Sequence, residues 1–196
     1  MPKIVNHNER RLAIAKAAGV IIAKNGLEGT KLTDIGHIAG VTTGTITHYF
    51  SDKDAVLIAA LEVAYDTMFE NISKVTEKSD YTLLDVLTES LPSNKKTQRA
   101  MSIWLAFWSR ALIEPKISKQ QTQFRSRWVT TIMKEIQRHY KINQRPIPKD
   151  LNGIIESLTA HVNGLIIRAL IDMPDWPKKR QRKLLMEYLK AVDLHE

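Results

Sequence analysis

The side chains best suited to making specific contacts are crowded between positions 31 and 53, where the chain reads KLTDIGHIAGVTTGTITHYFSDK. Threonines at 43, 45 and 47 are followed by a histidine, a tyrosine and a lysine. Threonine hydroxyls hydrogen-bond to base edges in the major groove of DNA, and threonine methyls contact thymine methyls. Imidazole, phenol and ammonium groups bind phosphates, which positions a protein on DNA without reading its sequence. These residue types at this spacing indicate a surface for DNA.

Two short helices have to present these groups. In the first, Leu32, Ile35 and Ile38 recur at a helical period, so one face of that helix is predicted to be buried. Gly40 supplies the backbone freedom that a tight turn requires, and Thr42 is a suitable N-cap for the second helix. A helix, a glycine-containing turn and a second helix form the helix-turn-helix pattern, whose second helix enters the major groove.

The second helix is predicted to turn Ile46, Tyr49 and Phe50 inward and its threonines outward. An alternative is that these threonines are only the solvated surface of a small helical core, and spacing alone supports both interpretations equally. The DNA-binding hypothesis assigns base contacts to Thr43, Thr45 and Thr47 and phosphate contacts to Thr33, His48, Tyr49 and Lys53, and it includes Thr42 at the start of the helix.

A longer helix begins immediately after this segment. Residues 51–54 read Ser-Asp-Lys-Asp, a variant of the capping box, and apolar residues then recur at a helical period to about Val75. This helix starts at the predicted DNA surface and runs into the rest of the chain. It is therefore predicted to connect the two parts mechanically.

The remaining chain also follows helical periods, without a strand pattern or an internal repeat. The sequence predicts an all-α protein of about nine helices. Residues 1–53 form a three-helix head with the helix-turn-helix at about 31–50, and residues 54–196 form a larger helical domain. One helix of this domain is predicted to span about 95–113.

Aromatic residues mark a second candidate site inside the larger domain. Trp104 and Trp108 are four residues apart and therefore share a helix face, Phe107 is adjacent, and Trp128 can meet them from the next helix. Such a cluster can close around an ammonium group, because cations bind the faces of aromatic rings. Plain core packing is the alternative, and aromatic clusters usually serve it.

Composition limits the class of protein. A chain of 196 residues with 43% hydrophobic and 26% charged residues is typical of a globular protein with a sizeable core. The net charge of +8 favours a polyanionic partner. Without cysteine the chain forms no disulfide, which suits a reducing cytoplasm. The N-terminal residues lack a signal-peptide core, and no run approaches the roughly 20 apolar residues of a membrane span. We therefore expect a cytoplasmic protein without a membrane partner.

No motif predicts an enzyme. The sequence contains no phosphate-binding glycine-rich loop, no G-x-S-x-G and no H-E-x-x-H, and its six histidines do not show metal-ligand spacing. We expect no catalytic residue, no metal site and no cofactor.

Residues 40–53, Gly-Val-Thr-Thr-Gly-Thr-Ile-Thr-His-Tyr-Phe-Ser-Asp-Lys, resemble the signature of the TetR family of bacterial repressors. Two positions depart from that pattern. Lys31 stands where the family usually has the threonine that caps the first helix, so Thr30 is expected to cap one position earlier. Gly36 replaces the usual alanine, which costs about 1 kcal/mol of helix propensity. Neither change removes a residue that faces the groove.

The body resembles a narrower group, the choline-responsive repressors of this family. The resemblance lies in AMSIWLAFW (100–108) and NGLIIRAL (163–170), and THYFSDK (47–53) also resembles this group. It implies an effector pocket that includes Trp104, Phe107, Trp108, Trp128 and Asn163. Asn163 stands where those repressors have an acidic residue, which weakens the case for choline itself.

The family resemblance also implies a homodimer, formed through the helices at about 150–172 and 175–194. We expect a repressor that binds double-stranded operator DNA and is released by a small molecule, choline or a related quaternary ammonium compound. The main alternative is a TetR-like DNA-binding protein with another effector or a protein partner, acting in chromosome organisation.

Overall fold

The computed structural model describes residues 7–194, and within this range the chain is all-α, as predicted. Ten α-helices occur there: α1 (His7–Asn25), α2 (Leu32–Ala39), α3 (Thr43–Tyr49), α4 (Lys53–Thr76), α5 (Leu83–Thr88), α6 (Lys95–Ala106), α7 (Trp108–Ala111), α8 (Pro115–Ile142), α9 (Leu151–Ile171) and α10 (Lys178–Ala191), with a 3₁₀ turn at Met173–Asp175. The ends of the two predicted domains, 1–6 and 195–196, lie outside the described residues.

Helices α1, α2 and α3 enclose a small core, to which each helix contributes at least one fully buried isoleucine: Ile14, Ile35 and Ile46. The turn between α2 and α3 is tight, because the Val41 amide donates to the Gly36 carbonyl at 2.9 Å and Gly40 has a φ of 65°. The prediction that Ile38 is buried is wrong, since 45% of its surface is exposed.

Side-chain caps fix where α3 and α4 begin. The Thr42 hydroxyl accepts a hydrogen bond from the Thr45 amide at 3.1 Å, which confirms Thr42 as the N-cap of α3. Asp52 caps α4 by accepting from the Ala55 amide at 2.7 Å, whereas Ser51 only donates to the Asp52 carboxylate. Thr30 does not cap α2. Its buried hydroxyl donates to the Gly26 carbonyl instead.

The head and the body are joined by more than α4. Helix α1 packs along both α4 and α6, and the approach to α6 is so close that a Cβ built on Gly19 would lie 3.0 Å from the Ile103 side chain. The predicted boundary between residues 53 and 54 falls in the first turn of α4 and stays a prediction. The helix predicted at 95–113 is divided, because the regular helix stops at Ala106 and a separate turn starts at Trp108.

Helix α9 lies in the body with one face in the core, where Leu158, Val162 and Ile166 are buried. Among the described residues it is the one helix that is long enough and apolar enough, by length and composition, to cross a membrane. A core helix passes the same test of length and composition, and 39% of the relevant α9 window is buried within this chain.

Candidate DNA interface and ligand cavity

Helix α3 presents the threonines that the sequence assigned to base contacts. Thr43 and Thr47 are exposed and Thr45 is half-buried beside the cap. The Thr45 hydroxyl lies 3.0 Å from the Thr42 hydroxyl, and the Thr47 hydroxyl donates to the Gly44 carbonyl at 3.0 Å. Since each hydroxyl oxygen retains free capacity for hydrogen bonding, both side chains can still contact a base edge.

The residues assigned to phosphates lie on three neighbouring helices. Thr33 is exposed in the first turn of α2, and His48 is exposed at the end of α3. The Tyr49 ring packs edge-on against His48 with 5.2 Å between ring centroids, and it also packs against the core. Lys53 is the first residue of α4, whose N-terminal amides favour an anion. Their contacts with DNA stay a prediction.

Arg11 holds the recognition helix in place, a role that sequence reasoning missed. Its guanidinium donates to the Tyr49 carbonyl at the end of α3 and lies 4.2 Å from the centroid of the Phe50 ring. An arginine near the start of the first helix can equally be solvated surface or a phosphate contact. No local sequence signal distinguishes these roles, because the partners are 38 and 39 positions away.

A cavity of about 410 Å³ lies in the body between α4, α6, α7, α8 and α9. Four predicted pocket residues line it, namely Trp104, Trp108, Trp128 and Asn163. The fifth, Phe107, is fully buried and is not among the lining residues, because it points from the break between α6 and α7 into the core. Sequence reasoning missed the other lining residues, which include Met68, Ser90, Met101, Ser109, Ser118, Gln121, Thr122, Phe124 and Arg125.

The aromatic walls of the cavity are held by specific contacts. Trp104 and Trp108 pack edge to face with 4.7 Å between ring centroids. The Trp128 indole donates to the Ser90 hydroxyl at 3.1 Å. Phe124 stacks on Tyr65 at 3.8 Å, and burial raises the pKa of Tyr65 above its usual range, so this phenol stays neutral.

Within residues 7–194, no carboxylate lines the cavity. Arg125 is the charged side chain that lines the cavity, and it pairs with Glu156 on α9 at 3.3 Å. The Gln121 amide nitrogen is buried and has no hydrogen-bond partner among the described residues. Arg168 does not line the cavity and pairs with Asp172 at 2.8 Å.

An ion-pair cluster connects the cavity to the head. Arg110 lies in α7 between cavity-lining neighbours and donates to both carboxylate oxygens of Asp54, each at 3.1 Å. It also donates to Glu114 at 2.5 and 2.7 Å. The hydrogen bonds that Arg110 donates to Glu114, then those it donates to Asp54, raise the pKa of Arg110, and the Arg110 guanidinium holds the pKa of Glu114 below its usual value. Asp54 is in the first turn of α4, one residue after Lys53.

A helix-turn-helix head joined to a helical body with an internal cavity defines a class of DNA-binding transcriptional regulators. Residues 14–60 match the tetR family of bacterial regulatory proteins, and residues 81–193 match the C-terminal region of BetI-type transcriptional repressors. The chain therefore belongs to the TetR family and has a BetI-type repressor body. This confirms the family predicted from the sequence.

Named relatives are similar over almost their whole length. The HTH-type transcriptional regulator PksA of Bacillus subtilis (strain 168) is 26% identical over 195 residues, covering 98% of this chain and 94% of PksA. The HTH-type transcriptional regulator BetI of Proteus mirabilis (strain HI4320) is 25% identical over 195 residues, covering 96% and 94%. These relatives are transcriptional regulators, which agrees with the expectation that the chain is not an enzyme.

Solved structures share the fold. A TetR-family transcriptional regulator from Rhodococcus sp. superposes with a TM-score of 0.75 at 26% identity, covering 95% of this chain and 98% of that one. A transcriptional regulator from Saccharomonospora viridis in complex with choline gives a TM-score of 0.79 at 23% identity, covering 93% and 96%. Neither these matches nor the named relatives favour the chromosome-organisation alternative.

Proposed function

We propose that this TetR-family regulator is a homodimeric repressor that binds operator DNA through α3 and is released when a small molecule enters the body cavity. The observation that carries this proposal is the Arg110 cluster. Trp108, Ser109 and Ala111 line the cavity, and Arg110 among them holds Asp54 at the start of α4. A ligand that displaces α7 therefore acts on the helix that follows the recognition helix.

Release requires two arrangements with different affinities for the ligand, because a ligand shifts only an equilibrium between states that it binds unequally. With the cavity empty, Arg110 ties α7 to α4 and the heads fit the operator. A ligand against Trp108 moves α7, the Arg110–Asp54 contact is lost, and α4 carries the head away from its DNA-binding position. The separation of the two heads in the dimer then no longer matches successive major grooves.

Dimerisation is proposed through α9 and α10. The exposed side of α9 carries Gly153, Ser157, Ala160 and Gly164 at helical spacing, followed by Ile171, which is 66% exposed. Small residues allow a second helix to approach closely, and exposed apolar residues gain from being covered. A four-helix interface with the same helices of a second copy would cover both.

Choline is a narrower candidate for the effector. The tryptophan faces of the cavity favour a quaternary ammonium group, and the regulator from Saccharomonospora viridis that shares this fold was solved with choline. The absence of a carboxylate among the lining residues disfavours it, since a buried cation normally needs a counter-charge.

The proposal is tested by titrating the protein onto labelled DNA from upstream of its own gene, at fixed ionic strength, with unrelated DNA of equal length as reference. We expect clear preference for the upstream DNA. Arg110→Gln should weaken operator binding about 2- to 30-fold without touching α3, the range found for coupling networks. Arg127→Gln is the matched control, because Arg127 also pairs with an α4 carboxylate, Asp66 at 3.1 Å, but does not line the cavity.

Two results would contradict the proposal. Equal affinity for the upstream and the unrelated DNA would contradict the claim that the upstream DNA contains an operator. If the Arg110→Gln variant binds the operator as tightly as the Arg127→Gln control, the proposed connection between cavity and head is contradicted.

A further inference from the structure

We infer that the ligand of the body cavity has an apolar body and a hydrogen-bond-accepting head without net positive charge, a carboxylate or a neutral oxygen. This inference rests on the proposed function, because it takes the cavity to be the effector site. It concerns the chemistry of the ligand, which the family does not fix for this chain.

The charges around the cavity oppose a cation. No aspartate or glutamate is among the lining residues, whereas the Arg125 guanidinium is. The carboxylate of Glu156 pairs with Arg125 at 3.3 Å but does not line the cavity. An ammonium ion that enters would lose its hydration and meet a like charge, and both effects disfavour the charged ligand.

The uncharged polar groups of the lining include several hydrogen-bond donors. The buried Gln121 amide nitrogen has no partner among the described residues, so it can donate to a ligand. Asn163 offers a second amide from α9, across the cavity from α8. The hydroxyls of Ser109, Ser118 and Thr122 also reach the lining. Because a buried donor left unpaired is unfavourable, a ligand that brings an acceptor gains from this arrangement.

The rest of the cavity wall is apolar, and it favours a ligand whose body is also apolar. Met68 and Met101 meet Trp104, Val162 and Ile166 around the cavity. Methionine side chains adapt to irregular shapes, and tryptophan faces accept methyl groups and rings as well as cations. A volume of about 410 Å³ falls within the range of pockets for drug-sized ligands. The aromatic walls therefore do not by themselves select a cation. The charges of the residues around the cavity determine which ligand charge is favoured.

Three probes of nearly the same shape separate these possibilities: choline, its uncharged carbon isostere 3,3-dimethylbutan-1-ol, and the anion 3,3-dimethylbutanoate. Binding to the full chain is measured by calorimetry and by quenching of tryptophan fluorescence at pH 7. We expect choline to bind roughly ten-fold or more weakly than the uncharged isostere, because only choline is an unpaired cation in this cavity. The anion should bind at least as tightly as the alcohol.

Two variants test the residues. Gln121→Leu should weaken the binding of 3,3-dimethylbutanoate about 10- to 100-fold, which is the value of one hydrogen bond to a charged group. Gln120→Leu is the matched control, since Gln120 precedes it on α8 but lines a different pocket beside α4. Asn163→Asp adds the missing carboxylate and should reverse the order, so that choline becomes the tightest of the three probes.

Choline binding more tightly than its uncharged isostere, equal binding of all three probes, or no binding of any of them would overturn the inference. Operator release measured on the same preparations separates this failure from failure of the proposed function. If choline binds best and releases the operator, only the ligand class is wrong. If the anion binds best but leaves the operator bound, the inference about the ligand stands and effector release is wrong.

Discussion

At position 36 a glycine occupies the middle of a short helix, where alanine would be better for helix propensity by about 1 kcal/mol. The structure explains it, because a Cβ there would lie 2.7 Å from the Val41 carbonyl oxygen. The Val41 amide also donates a hydrogen bond to the Gly36 carbonyl, and this bond closes the turn. A single residue thus sets how tightly α2 and α3 join.

The change Gly36→Ala should therefore destabilise the protein by about 1–3 kcal/mol, the usual cost of overpacking, despite the gain in propensity. Gly44→Ala is the control, because its Cβ would have only an ordinary contact, 3.7 Å from the Thr42 hydroxyl oxygen. Urea unfolding without DNA measures both. A Gly36→Ala protein that is as stable as Gly44→Ala would show that the turn relaxes without cost.

Lys53 offers a second test at this scale. If it binds a phosphate, Lys53→Gln should weaken binding to all DNA sequences alike and reduce the slope of log K against log salt by about 0.9. Thr47→Ala should instead weaken binding to operator DNA more than binding to unrelated DNA. Lys78→Gln, in the exposed loop after α4, is the control. If Lys53→Gln lowers the affinity for operator DNA only, or does not lower the affinity for any DNA, the assignment of Lys53 to a phosphate is contradicted.

At the scale of elements, the short helix α7 matters more than its four residues suggest. It interrupts what the sequence presents as one helix, and the interruption places Trp108 at the cavity and Arg110 against α4. The contacts join positions 54, 110 and 114, so the cluster couples three separate elements. Helix α4 receives this contact in its first turn, where a small rotation moves the head.

The Arg110 cluster predicts an acid-dependent loss of stability. The hydrogen bonds from Arg110 lower the pKa of Glu114 from its unfolded value of 4.5. The folded state therefore holds this proton less tightly than the unfolded state, so the contribution is present above pH 4.5 and is lost as pH falls through the folded pKa. Between pH 5 and 3, wild type should lose more stability than Arg110→Gln, measured by urea unfolding at each pH. Parallel curves for the two proteins would contradict this.

At the scale of the whole molecule, one long apolar surface is not fully covered by packing within the chain. Helix α9 is apolar along its length, yet part of it faces outward, and Ile171 and Met173 next to its end are exposed. A second copy would bury this surface. Two heads on one dimer would also bind two half-sites of DNA about one helical turn apart.

The dimer prediction is tested with Gly164→Glu, which puts a charge in the middle of the exposed side of α9. No atom lies within 4 Å of a Cβ at this position, so the folded protomer accommodates the change. Sedimentation should show a monomer with unchanged helix content by circular dichroism, and operator affinity should fall. Ser73→Glu, on the exposed side of α4, is the control. A Gly164→Glu protein that remains dimeric would place the interface elsewhere.

The sequence by itself determined the all-α class, the helix-turn-helix and its Thr42 cap, and the family, because these depend on residues close together in the chain. Periodicity, glycine in a turn and a capping hydroxyl are local signals. It also identified four of the residues that line the cavity, since Trp104 and Trp108 share a face at a spacing of four. Phe107 does not line this cavity, because the helix breaks at that residue, and the periodic pattern does not show this break.

Only the tertiary structure decided which distant groups meet. Arg11 with Tyr49 and Arg110 with Asp54 depend on how helices cross, which is not encoded in a short window. The same holds for the absence of a carboxylate from the cavity, since eighteen lining residues come from six different parts of the fold. Helical patterns specify the faces that must be buried, but the packing of those faces against each other decides which side chains share a site.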